Sequence, residues 1–125
     1  MTIKSYRELE VWQKAFLLSL LIYKAAKKFP KEELYGLASQ IRRAVVAIAT
    51  NIAEGSARGH LAEYIQFLRI AYASGAEVET LLLLSKELGY LADRDYSKLN
   101  DLLNEIMKML NVMIRKLENK TLPKT

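Results

Sequence analysis

Three carboxylates, Glu54, Glu77 and Glu79, and a single histidine, His60, are the residues of this chain best suited to chemistry. Clustered carboxylates serve as general acids and bases or hold divalent cations. A di-iron bundle needs a Glu-x-x-His on each of two helices and a further Glu from each of the others. Ala57 stands three positions before His60, so the carboxylate–histidine site is excluded. A carboxylate-only magnesium site would have Arg43 competing as counter-ion. No Gly-x-x-x-x-Gly-Lys, Gly-x-Gly-x-x-Gly or nucleophile elbow occurs, and no cysteine is present. The reading is of a chain with no catalytic residue, no metal and no cofactor. A metal-dependent hydrolase built on the three glutamates is its third and weakest alternative.

The same residues fit a structural role. At about 100° per residue, Leu37, Ile41, Val45, Ile48 and Ile52 form one apolar stripe on a helix. Gln40, Arg43, Asn51 and Glu54 fall beside it within an arc of roughly 80°. In the next helix, Glu77 and Glu79 are the only charges between Ile70 and Ser85. The expectation is a buried polar network in which Gln40, Arg43 and Asn51 meet Glu77 or Glu79. Stranding one member of such a pair costs about 3–5 kcal/mol. The small run Ala71, Ala73, Ser74, Gly75, Ala76 predicts that the second helix crosses the third there.

Four helices are predicted, from Tyr6 to Phe29, Leu37 to Glu54, Leu61 to Leu88 and Tyr96 to Glu118. Ser5 and Glu8 have capping-box spacing, and Pro30 follows the first helix. Gly55 and Gly89 stand where helices two and three need a left-handed terminal residue, and Asp93 is placed to cap the fourth. Short connections and the absence of strand alternation indicate an all-α fold, an up-and-down antiparallel four-helix bundle. It forms one domain over residues 1–119, with a short basic tail at 120–125.

Helix four is cleanly amphipathic, with Leu99, Leu102, Leu103, Ile106, Leu110, Met113 and Leu117 on one side and Asn100, Asn104, Glu105, Lys108 and Arg115 on the other. Helix one is not. Its core side is expected to hold Val11, Trp12, Phe16, Ile22, Tyr23, Ala26 and Phe29. Leu17 and Leu21 lie among Glu10, Lys14, Lys24 and Lys28, with Leu20 at the edge, and the three predict a subunit interface, hence a homo-oligomer.

With 125 residues, 51% hydrophobic and 26% charged, the chain is globular rather than disordered. No apolar run approaches the ~18 residues of a membrane span. A soluble cytoplasmic protein without a membrane partner is expected. The net charge of +5 suits an anionic partner. Lys24, Lys27, Lys28 and Lys31 cluster at the end of helix one, and Arg42, Arg58 and Arg69 are expected as a second group around the turn between helices two and three. Neither cluster interleaves with aromatics, so contacts to RNA or DNA would be to phosphate.

The blocks Leu9 to Ala15, Phe29-Pro30, Glu33 to Leu37, Gln40 to Ala44, Asn51 to Gly55 with Arg58, Phe67 to Ala71, Ser74 to Thr80 and Leu88 to Tyr90 cover most of the chain. In this order and spacing the sequence resembles the four-helix-bundle family named for proteins encoded in 23S rRNA intervening sequences. The resemblance implies a ring-like homopentamer. It also implies kinship with the accessory variability determinant of diversity-generating retroelements, a basic pentamer associated with nucleic acid and a reverse transcriptase. It brings no catalytic residues. His60 departs from the serine or threonine expected at that helix start. The function expected is a non-catalytic, nucleic-acid-associated accessory protein. The alternative is a protein–protein assembly module whose charge only keeps it soluble.

Overall fold

Ser5 Oγ accepts a hydrogen bond from the Arg7 amide at 3.1 Å, but the turn it caps is a 3-10 turn, Tyr6–Glu8. Leu9 is extended, and α1 begins only at Glu10, running Glu10–Ala26. The predicted first helix is thus shorter at both ends. At its far end Lys28 and Phe29 close 3-10-type bonds to Ala25 and Ala26, because a residue preceding proline disfavours the α conformation. The computed structural model describes residues 5–121. Residues 122–125 of the expected tail lie outside that range, while Lys120 and Thr121 belong to the last helix.

A second 3-10 turn, Lys31–Glu33, leads to α2, Leu37–Arg58. Glu33 Oε1 accepts from the Leu37 amide at 3.1 Å and so satisfies one of the orphan donors of that helix start. Gly55 is not a terminus. It is buried inside α2, where an added Cβ would stand 2.7 Å from Phe67 Cβ and 3.0 Å from Tyr64 Cδ1. Close approach to α3 is what requires glycine there. The left-handed residue is Gly59, with φ +76°, and the helix runs four residues further than its sequence indicated.

The third helix, α3, spans Leu61–Glu87. Its end matches expectation: Gly89 has φ +82°, its amide bonds Lys86 O, and the Tyr90 amide bonds Ser85 O, both at 2.9 Å. That pair of bonds is a Schellman cap. Gly75 faces α4 rather than α2, since a Cβ there would collide with the Met107 thioether. The expected crossing of α2 at this stretch is therefore displaced to Gly55. The last helix, α4, spans Asp93–Thr121, with Asp93 inside its first turn.

Each helix packs against two others: α1 and α3 both touch α2 and α4, and the diagonal pairs do not meet among the described residues. Sequence order around this square makes the bundle up-and-down. Its centre is filled by Leu18, Ile22, Ile48, Leu68, Leu82 and Ile106, all fully buried. On α1 the inward residues are Val11, Ala15, Leu18, Ile22 and Ala26. Phe16 and Tyr23, expected inside, lie about 100° or more from the middle of that stripe and are 48% and 43% exposed. Helix α4 buries Leu99, Leu103, Ile106 and Leu110 as predicted, but Asn100 is half-buried rather than outward, with its Oδ1 enclosed.

The seam between α1 and α4 carries two clefts. One, of about 400 Å³, lies between Leu9, Val11, Met109, Val112 and Met113. The other, of about 490 Å³, lies at the opposite end of α1. Between them Lys14 Nζ donates to Glu105 Oε2 at 3.0 Å, and this carboxylate raises the lysine's pKa.

Candidate functional site

The larger cleft is where the basic residues converge. Lys24, Lys27 and Lys28 reach it from the end of α1, and Lys98 from the second turn of α4. Leu21, Ala25, Leu91 and Leu99 supply apolar walls, with Tyr90 at the α3–α4 turn and Asp95 on the rim. Four ammonium groups from two elements around one depression make a local positive field, which Asp95 partly offsets. Lys98 does not stand out in the sequence, because it sits far from the other lysines along the chain. Its signal was only that the start of α4 must meet the end of α1 in an up-and-down bundle.

Lys31 is exposed in the 3-10 turn and does not line this cleft. The three arginines do not form a second group. Arg42 lies sixteen positions from Arg58 on the same helix, a separation of ~24 Å. Its guanidinium sits 5.8 Å from the Tyr23 ring centroid, at the lysine-bearing end. Arg58 lies over Phe67 at 5.1 Å, and Arg69 is paired with Glu118 near the far end of the bundle.

The buried polar network is not formed within the chain. Gln40, Glu54 and Glu79 are exposed, and Asn51 donates to Ala47 O of its own helix at 2.7 Å. Only Arg43 and Glu77 meet, at 3.3 Å, with side chains 70% and 41% exposed. The sequence pattern misleads because the polar arc borders the apolar stripe without pointing into it. The three carboxylates are not gathered, and no group of three or more His, Asp or Glu among the described residues is placed to hold a metal. The pKa of Tyr64 is raised by burial, and that of Tyr90 by its hydrogen bond to Glu33 and then by desolvation.

Leu17, Leu20 and Leu21 are 46%, 51% and 36% exposed, next to Phe16 and Tyr23. Together they make an apolar band on the outside of α1, with Lys24 and Lys27 beyond it.

The model of the family described as 23S rRNA-intervening sequence protein matches residues 7–112. The chain belongs to this family. A solved structure supports the fold: a protein of unknown function from the S23 ribosomal protein family of Bacteroides thetaiotaomicron has 27% identity and a TM-score of 0.78. The match covers 84% of this chain and 95% of that one. No curated protein matches the chain. The matched region of this 23S rRNA-intervening sequence family member takes in all the cleft lysines and the exposed band of α1. No described helix is long and apolar enough to cross a membrane.

Proposed function

We propose that this chain is a non-catalytic accessory protein that self-associates and binds RNA or DNA through phosphate contacts at the lysine cleft. The observation that carries this reading is the convergence of Lys24 on α1, Lys27 and Lys28 in the turn after it, and Lys98 on α4 around one cleft. Ammonium groups held at fixed positions on neighbouring elements track a phosphate backbone, and Tyr90, the aromatic residue in the lining, is engaged with Phe29 and Glu33, which argues against base readout. The family is named for an intervening sequence of 23S rRNA, which makes structured rRNA the first polyanion to test. Self-association rests on the apolar band of α1, and a ring of five copies rests on the family resemblance alone.

The test is a titration of the untagged protein, at several salt concentrations, against a structured rRNA fragment and a DNA duplex of equal length. Binding is expected to weaken steeply with salt, with a log–log slope that counts phosphates contacted. Reversing Lys24, Lys28 and Lys98 to glutamate is expected to abolish it while the helical spectrum is kept. Absence of binding even at low salt overturns the nucleic-acid reading. It would favour the alternative, a protein-binding assembly module, for which Phe16, Leu17 and Leu20 supply the contact surface. A reverse transcriptase is the partner to try first in that case.

A further inference from the structure

Away from the lysine cleft, a second set of basic and hydrogen-bonding groups gathers on the seam between α3 and α4. Arg69 and Tyr72 of α3 meet Asn111, Arg115 and Glu118 of α4 around a cleft of about 260 Å³, with the buried Ile114 in its lining. Their spacing explains the meeting. Arg69 and Tyr72 are three positions apart, and Asn111, Arg115 and Glu118 follow one another at four and three, so each set shares one side of its helix. Arg115 stands seventeen residues along α4 from Lys98, a separation of ~25 Å. The two basic sites are therefore distinct.

We infer that this cleft binds a terminal phosphate group, the dianion of a phosphomonoester. Two guanidinium groups and a single carboxylate line it, so it carries an excess of positive charge. Arg69 is paired with Glu118, whereas Arg115 has no ion-pair partner among the described residues. A guanidinium fork donates two parallel bonds to phosphate or carboxylate oxygens. The Tyr72 hydroxyl and the Asn111 amide, on exposed residues of the same lining, add neutral donors.

The chemistry favours phosphate over carboxylate. Glu118 already serves Arg69 as an internal carboxylate, and a carboxylate ligand brings no more than it does. A phosphomonoester brings a charge of about −1.5 to −2 at neutral pH and three strong acceptor oxygens. These engage both guanidinium groups once the Glu118 side chain turns aside. The site also fits one phosphate and not a chain of them. After Arg69 the next basic residue of α3 is Lys86, ~25 Å further on, and exposed Glu79 stands between the two. No cationic track leads away along α3 for a second phosphate.

The test is calorimetric titration of the full chain with glycerol phosphate, with glycerate as the carboxylate control. A short oligonucleotide carrying a 5′-phosphate or a 5′-hydroxyl separates the two sources of a terminal phosphate, a small molecule and a strand end. Glycerol phosphate is expected to bind, and to bind more weakly as pH falls below about 6, where it takes up its second proton. Arg115→Gln, at an exposed position, is expected to weaken binding about tenfold with Tm unchanged. Glu118→Gln is expected to tighten it about two- to fivefold, because the internal competitor is gone. Lys98→Gln is expected to leave it unaltered, so this site and the lysine cleft fail or hold separately. A gain from the 5′-phosphate larger than the affinity for glycerol phosphate assigns the group to a strand end; no such gain assigns it to a small molecule. Binding of neither phosphate probe, equal binding of glycerate, or a Glu118→Gln variant that binds more weakly overturns the inference.

Discussion

The Tyr90 hydroxyl donates to Glu33 Oε2 at 3.0 Å, across 57 positions of sequence. The other oxygen of the same carboxylate caps α2, and the Tyr90 ring packs against Phe29 with centroids 5.6 Å apart. One glutamate thereby ties the turn after α1, the start of α2 and the turn after α3. The bond requires a protonated phenol, and it holds the Tyr90 pKa above its ordinary value of 10.0. A group whose folded pKa is raised contributes stability that is whole below the unfolded pKa and is lost as pH rises through the folded value. Tyr90→Phe is therefore expected to lower Tm at neutral pH and to flatten the decline of Tm above pH 10. A difference between wild type and variant that persists undiminished into strong alkali would contradict this role.

Glycines 55 and 75 are expected to respond differently to alanine. At Gly55 the new methyl meets Phe67 Cβ, which is fixed to the backbone of α3. Gly55→Ala is expected to cost about 1–3 kcal/mol, the usual penalty for overpacking. At Gly75 the obstacle is the far end of the Met107 side chain, which can turn away. The gain in helix propensity of about 1 kcal/mol then offsets most of the strain. Urea unfolding of both variants checks the order; equal losses would refute it.

Arg43 and Glu77 form a surface pair in this chain, and exposed pairs contribute little. A double-mutant cycle with Arg43→Met and Glu77→Gln is expected to give a coupling below about 1 kcal/mol. Coupling of several kcal/mol would restore the buried network that the sequence indicated.

The salt dependence of nucleic-acid binding separates the cleft from the arginines. Lys98→Gln is expected to reduce the log–log slope by about one contact. Arg69→Gln, whose native partner is Glu118, is expected to leave it unchanged. A slope altered by Arg69 and not by Lys98 would move the binding surface to the other end of the bundle.

Helix number, order and approximate limits are legible because 3.6-residue periodicity is a local property. The left-handed cap at Gly89 depends on its own neighbours and so shows in the sequence. Gly55 does not, because a glycine at a helix end and one at a helix crossing look alike until the partner, Phe67, is known. Phe16 and Tyr23 are hydrophobic enough to suggest the inside, but Ala15 and Leu18 hold the inward positions beside Val11, Ile22 and Ala26. The lysines of α1 were found as a run, whereas Lys98 needed the antiparallel register of α4.

The clefts at both ends of the α1–α4 seam bear on how the molecule breathes. Helices α2 and α3 are joined by only Gly59 and His60 and are in intimate contact at Gly55. Helix α1 is closed against α4 between the two clefts by the exposed Lys14–Glu105 bond. Thin lateral packing lowers the free energy of local opening. Backbone amides of α1 are thus expected to exchange with deuterated water through a partial swing away from α4, while those around Ile48 and Leu68 wait for complete unfolding. The seam beside the exposed leucines is then the thinnest of the four in the bundle, and a neighbour bound to α1 would slow exchange there most.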